Sequence, residues 1–195
     1  MRVQPAPRIM AVAFLCAVAL IALVISEGLA RASGQEALLP MEVVDPRSLL
    51  HGHYVQLNLV QRLEPGASCP RAEPTADWLA FGRAGDGVLR FAGAAVSREA
   101  AQRIAPVLVK GTFTCSEPAT VPEGEPALPG WVGLDIGIDR FHINQTDALR
   151  IERILREQRP SEDTRAFAIV SVARDGRARL KGLMIDNERL DLEWF

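Results

Sequence analysis

Lysine is almost missing from this chain. Lys110 and Lys181 are the only two, and the other basic residues are Arg. That skew fits a base-composition bias of the genome rather than a function. The 22 basic and 24 acidic residues leave a formal net charge of −2, so no electrostatic footprint for nucleic acid is visible. Histidine is equally scarce: His51, His53 and His142 are all there are. No nucleophile elbow, phosphate-binding Gly loop or zincin motif is present. A Ser/Lys nucleophile pair would have only Lys110 or Lys181 as its base. Ser48 lacks a helical Ser-Met context, and Lys181 falls on the polar side of its strand. These absences argue against catalysis. Cysteine is limited to Cys16, Cys69 and Cys115.

What is present begins with Ile9 to Ile25, an uncharged apolar run preceded by Arg2 and Arg8. At ~1.5 Å per residue it reaches about 25 Å as a helix, close to the thickness of a bilayer core. The positive-inside rule keeps the N-terminus cytoplasmic and exports the rest. A cleaved signal peptide is the alternative, with Ala30-Arg31-Ala32 as a small-x-small cleavage site. The length of the run favours an uncleaved anchor. Cys16 lies inside it and lacks the small residue expected before a lipoprotein cysteine, so it reads as a membrane-facing apolar residue.

The exported part reads as strands punctuated by turns. Residues 33–37 form a short polar linker. Strands are expected over Leu38–Val44, Tyr54–Leu63, Trp78–Gly82, Val88–Val96, Val107–Cys115, Trp131–Ile143, Ala166–Ala173 and Arg177–Ile185, with a last one through Leu190, Leu192 and Trp194. Gly85-Asp86-Gly87 marks a hairpin. Ser97 caps a short helix over Arg98–Ile104. Thr146 caps the clearest helix, Asp147–Gln158, whose apolar stripe is Ala148, Ile151, Ile154 and Leu155. Ala166–Ala173 is apolar on both faces and reads as a central strand. Arg177, Arg179 and Lys181 are expected to face solvent. The stretches 64–77 and 116–130 are Pro-rich loops. Asp86-Gly87-x-x-Arg90-x-x-Gly93 and Asp175-Gly176-x-x-Arg179-x-x-Gly182 echo one another; shared turn chemistry accounts for this more simply than a duplicated half-domain. Cys69 and Cys115, the two cysteines of the exported part, are expected to form a disulfide in an oxidising compartment.

Val44-Asp45-Pro46-Arg47, followed by Gly52-His53-Tyr54-Val55-Gln56-Leu57-Asn58-Leu59, resembles the signature of the GDYXXLXY family of bacterial membrane-anchored proteins. His53 stands where the family has Asp, and Leu59 where it has Tyr. Gly137-Ile138-Asp139-Arg140-Phe141 with Ile151-Glu152, and Asp175-Gly176-Arg177-Ala178 with Lys181-Gly182-Leu183, resemble two later blocks of the family in the right order. The resemblance runs from about Leu38 to the C-terminus. It implies membrane anchoring and no established chemistry. The positions it marks are Asp45, Pro46, Arg47, Gly52, Tyr54, Leu57, Asp139 and Arg140. They make either a recognition surface or a turn clamp, in which Asp45 caps backbone and an Arg pairs a carboxylate.

The expected fold is α+β: a mainly antiparallel sheet covered by one principal amphipathic helix and preceded by a transmembrane helix. Residues 1–32 form the anchor, or a signal peptide. Residues 38–195 form a GDYXXLXY-like domain in the periplasm, held at the bacterial inner membrane by a single pass. The expected function is a non-catalytic module in contact with the bilayer through residues 9–25 and with a membrane-protein partner. No cofactor, metal or nucleic acid is expected. The rival is an envelope enzyme or metal-binding protein using His51, His53 and His142.

Overall fold

The computed structural model describes residues 5–42, 54–64, 67–70, 73, 75–118, 129–138, 140–142, 166–185 and 188–191. Helix α1 (Pro5–Ser33) holds the apolar run, and its large hydrophobic residues from Ile9 to Leu29 are exposed. Its segment Arg8–Ser33 is long and apolar enough to cross a membrane. Strand β1 (Gln35–Met41) follows after Gly34 alone. The linker expected over residues 33–37 is therefore replaced by the end of a helix and the start of a strand. That strand also begins three residues earlier than expected and ends earlier. Its start is polar, and a period-two pattern of apolar residues does not register a strand's polar end.

Strands β2 (Tyr54–Gln56) and β3 (Val60–Arg62) occupy what reads as one strand. They belong to different sheets: β2 pairs β9 (Arg140–His142) and β3 pairs β8 (Trp131–Asp135). The run Trp131–Ile143 is split in the same way, at Gly137 with φ +74°. Val107–Cys115 likewise divides at Gly111 into β6 (Val107–Lys110) and β7 (Thr112–Ser116). A Cβ at Gly111 would collide with the carbonyl oxygen of Asp135. In all three cases the apolar alternation continues across the break, which hides the change of sheet.

The remaining elements match their sequence patterns. Strands β4 (Trp78–Arg83) and β5 (Leu89–Ala95) form the hairpin. Helix α2 (Arg98–Ile104) starts at Ser97, whose Oγ accepts the Ala100 N–H at 3.2 Å. Strand β10 (Ala166–Val172) pairs β1 on one side and β11 (Ala178–Ile185) on the other, and β12 (Glu188–Asp191) completes that sheet. All of these strand pairings are antiparallel. The fold is α+β. The Asp147–Gln158 helix lies outside the described residues; among them α2 packs against β4, β5 and β6, and the end of α1 meets β10 and β11.

The sheets built on β10, on β4 and on β8 share one core. Leu39, Leu79, Phe81, Leu89, Val109, Val132, Val170 and Leu183 are fully buried within it. A parallel bridge between Leu38 and Val88 joins β1 to β5, and Glu42 bridges to Asn58 beside β3. Strand β10 is buried along nearly its whole length, as a central strand must be.

The two Asp-Gly hairpins are alike beyond their turns. Gly87 and Gly176 have φ +82° and +84°. Asp86 Oδ1 accepts the Val88 N–H and Asp175 Oδ1 the Arg177 N–H, each at 3.0 Å. Each ladder then carries a bulge just before the last Gly of the echo, so that Gly93 opposes Ala80 and Gly182 opposes Ile169. The strands flanking the two hairpins differ: β6 beside β4, β1 beside β10. A shared hairpin chemistry accounts for all of this.

Candidate functional site

Strand pairing brings two distant signature blocks together. Tyr54 is in register with His142, Val55 with Phe141 and Gln56 with Arg140. The described end of the first block is structural: Leu57 is buried in the common core, and so is Leu59. Asp45, Pro46, Arg47, Gly52 and Asp139 lie outside the described residues, as do His51 and His53 of the histidine alternative. Among the described residues no group of His, Cys, Asp and Glu is placed to hold a metal ion.

The disulfide between Cys69 and Cys115 is formed, with the Cα atoms 5.9 Å apart. It ties the stretch after β3 to β7. Near it, Leu63 N–H donates to the Gly130 carbonyl at 2.8 Å, which fixes the entry to β8. Cys16 is free and exposed on α1.

Among the described residues, the most elaborate polar arrangement joins α1 to the four-stranded sheet. Glu36, Ser171 and Arg179 lie side by side across β1, β10 and β11, on the face turned away from the core. The last turns of α1 meet that face. The Arg179 guanidinium donates to both Glu27 oxygens, from Nε at 2.6 Å and Nη2 at 3.1 Å. One helical turn later, Arg31 Nη2 donates to the Lys181 carbonyl at 2.8 Å. Gly34 then passes so close to Ser171 that any Cβ would strike its hydroxyl. Ser171 is fully buried there, and neither its Oγ nor Nη1 of Arg179 has a hydrogen-bond partner among the described residues.

A second cluster sits on Glu36. Lys181 Nζ donates to it at 2.7 Å and Arg189 Nη1 at 2.8 Å, while Arg189 also pairs Asp191 at 2.9 Å. These hydrogen bonds, that of Arg189 first, hold the Glu36 carboxyl down at about 2. They raise the Arg189 guanidinium above its ordinary value. Arg179 is raised by its bond to Glu27. The expectation that Arg179 and Lys181 simply face solvent is corrected: both are engaged where α1 meets the sheet. Arg177 remains exposed, 3.7 Å from Asp175. Glu27, Glu36 and Arg189 are not marked by any sequence pattern described above. The available signal was Glu27 and Arg31, four residues apart directly beyond the apolar run, with alternating Arg177, Arg179 and Lys181 to answer them.

A model of the GDYXXLXY protein family matches residues 16–183. The chain belongs to the GDYXXLXY family. The match begins within α1 rather than at Leu38, so the GDYXXLXY pattern takes in the second half of α1 and its junction with the sheet. All three resembling blocks fall inside it. No curated protein and no solved structure matches the chain.

Proposed function

We propose that this protein is a non-catalytic, membrane-anchored module of the bacterial envelope. Its domain would lie on the periplasmic side of the inner membrane and act through a membrane-protein partner. The observation that supports this best is the junction just described. The apolar face of α1 is left wholly exposed, while its last turns are fixed to the domain by Glu27–Arg179 and Arg31–Lys181. A cleaved leader has no use for such contacts, and a soluble domain has no use for the exposed helix. Membership in the GDYXXLXY family agrees with anchoring. The signature strands β2 and β9 are the proposed recognition surface, with Arg47 and Tyr54 as its test residues.

The test is co-purification from membranes with a C-terminal tag. Arg47→Ala with Tyr54→Ala is expected to lose the partner while the domain stays folded and oxidised. Unfolding of the double variant would make the signature a turn clamp. Stoichiometric zinc on the purified protein, lost on His51→Ala, would replace this reading with a metal site.

A further inference from the structure

We propose that the end of the domain next to the anchor is a docking surface for anionic lipid headgroups, formed on both sides of the β10–β11 turn. The proposal rests on the anchored reading above and specifies what the domain touches when anchored.

Depth comes first. Glu27 lies two residues beyond Ile25, the last residue of the uncharged run, a rise of about 3 Å. The headgroup layer beyond the hydrocarbon is roughly 5–8 Å thick on each side. Glu27 is therefore at headgroup depth, and Arg179, bonded to it at 2.6 Å, is held there too. One open cleft of about 570 Å³ is lined by Glu27 and Arg179 together with Lys110 and Arg177. Those two cations line the same cleft as Glu27, and both are exposed.

Charge comes second. In this first cleft the Glu27 carboxylate is paired with Arg179, while Asp135 accepts, among the described residues, only the Gly137 N–H at 3.2 Å and keeps its charge. Asp175, on the turn itself, accepts the Arg177 N–H and stands 3.7 Å from its guanidinium. Across the turn lies a second cleft of about 410 Å³, lined by Gln35, Gln102, Arg98, Arg174 and Ser33 at the end of α1. Ser33 is about 12 Å beyond Ile25, just outside the headgroup layer and within the range over which long Arg side chains snorkel. No carboxylate is among its described lining residues. Arg174 is exposed and makes no ion pair among the described residues.

The third observation is an aromatic. Trp78 borders the second cleft, half-buried, against Gly176 of the turn. Arg98 and Lys110 lie over its ring, 5.7 and 5.2 Å from the centroid. An indole with cations on it, beside the end of a membrane helix, is the composition of the bilayer interface, where Trp and basic side chains meet phosphate. Continuity with the anchor and charge complementarity both select a lipid surface as the occupant.

The full-length protein reconstituted in phosphatidylcholine membranes tests this. Trace spin-labelled phosphatidylglycerol is compared with spin-labelled phosphatidylcholine by electron spin resonance. Selection of phosphatidylglycerol is expected, by roughly fivefold for each basic side chain engaged. Arg174→Gln with Arg177→Gln should reduce it, and Arg174→Lys with Arg177→Lys should retain it. Retention by the Lys pair separates charge from any loss of fold. Equal association of the two lipids, or a preference that survives the Gln pair, overturns the headgroup surface while leaving the anchor standing. Failure to float with vesicles after alkaline extraction overturns the anchored reading, and the surface falls with it.

Discussion

Gly176 and Gly87 occupy the same turn geometry but different surroundings, and the difference is measurable. A Cβ at Gly87 meets nothing within 4 Å, whereas one at Gly176 runs into the Trp78 ring. Gly87→Ala is expected to cost only the left-handed backbone strain, on the order of 1–2 kcal/mol. Gly176→Ala adds overpacking of about 1–3 kcal/mol. Urea unfolding of the two variants side by side gives the contrast; equal losses would mean that Trp78 does not pack on the turn. Ser171→Ala is expected to be neutral or stabilising by up to ~1 kcal/mol, because it removes a buried hydroxyl that bonds nothing among the described residues. Glu36 gives a pH dependence. Its carboxyl is depressed in the folded state, so its stabilisation is complete above the unfolded value of 4.5 and is lost as pH falls toward about 2. The side chain is 39% exposed, and solvent screening limits the effect to on the order of 1 kcal/mol. Glu36→Gln should flatten the stability profile over that window.

Elements differ in how well the sequence announces them. The hairpin at Asp86-Gly87, the Ser97-capped helix and the doubly apolar β10 are visible because turn chemistry, capping and pattern agree. The divisions at Gly111 and Gly137 are not visible, since apolar alternation runs on while the chain leaves one sheet for another. The pairing of β2 with β9 is hidden for a different reason: a strand of three residues has no period of its own, and its partner lies more than eighty positions away. The junction of α1 with the sheet is hidden because charges read as solvated when their partners come from a distant helix. The Cys69–Cys115 link could be reached by elimination. Removing it by Cys69→Ser with Cys115→Ser should destabilise the domain by roughly 2–4 kcal/mol, since 46 residues separate the two positions. Equilibrium unfolding with and without reductant checks this, and the double variant should be insensitive to reductant.

At the scale of the molecule, the chain is expected to stay with membranes after alkaline extraction and to keep its own N-terminus. Fractionation of a C-terminally tagged form, with N-terminal sequencing, reads both. Recovery of a soluble species beginning near Ser33 would show cleavage instead. Between helix and strand there is only Gly34, and two ion-paired or hydrogen-bonded contacts brace it. Turning the helix therefore turns the sheet, as a key turns a lock. One alanine inserted between Ile25 and Ser26 would swing the domain by about 100° and raise it by ~1.5 Å, while four would bring it back to within about 40° of its starting phase. Any activity that depends on which way the domain faces a neighbour in the bilayer should then rise and fall with the period of the helix.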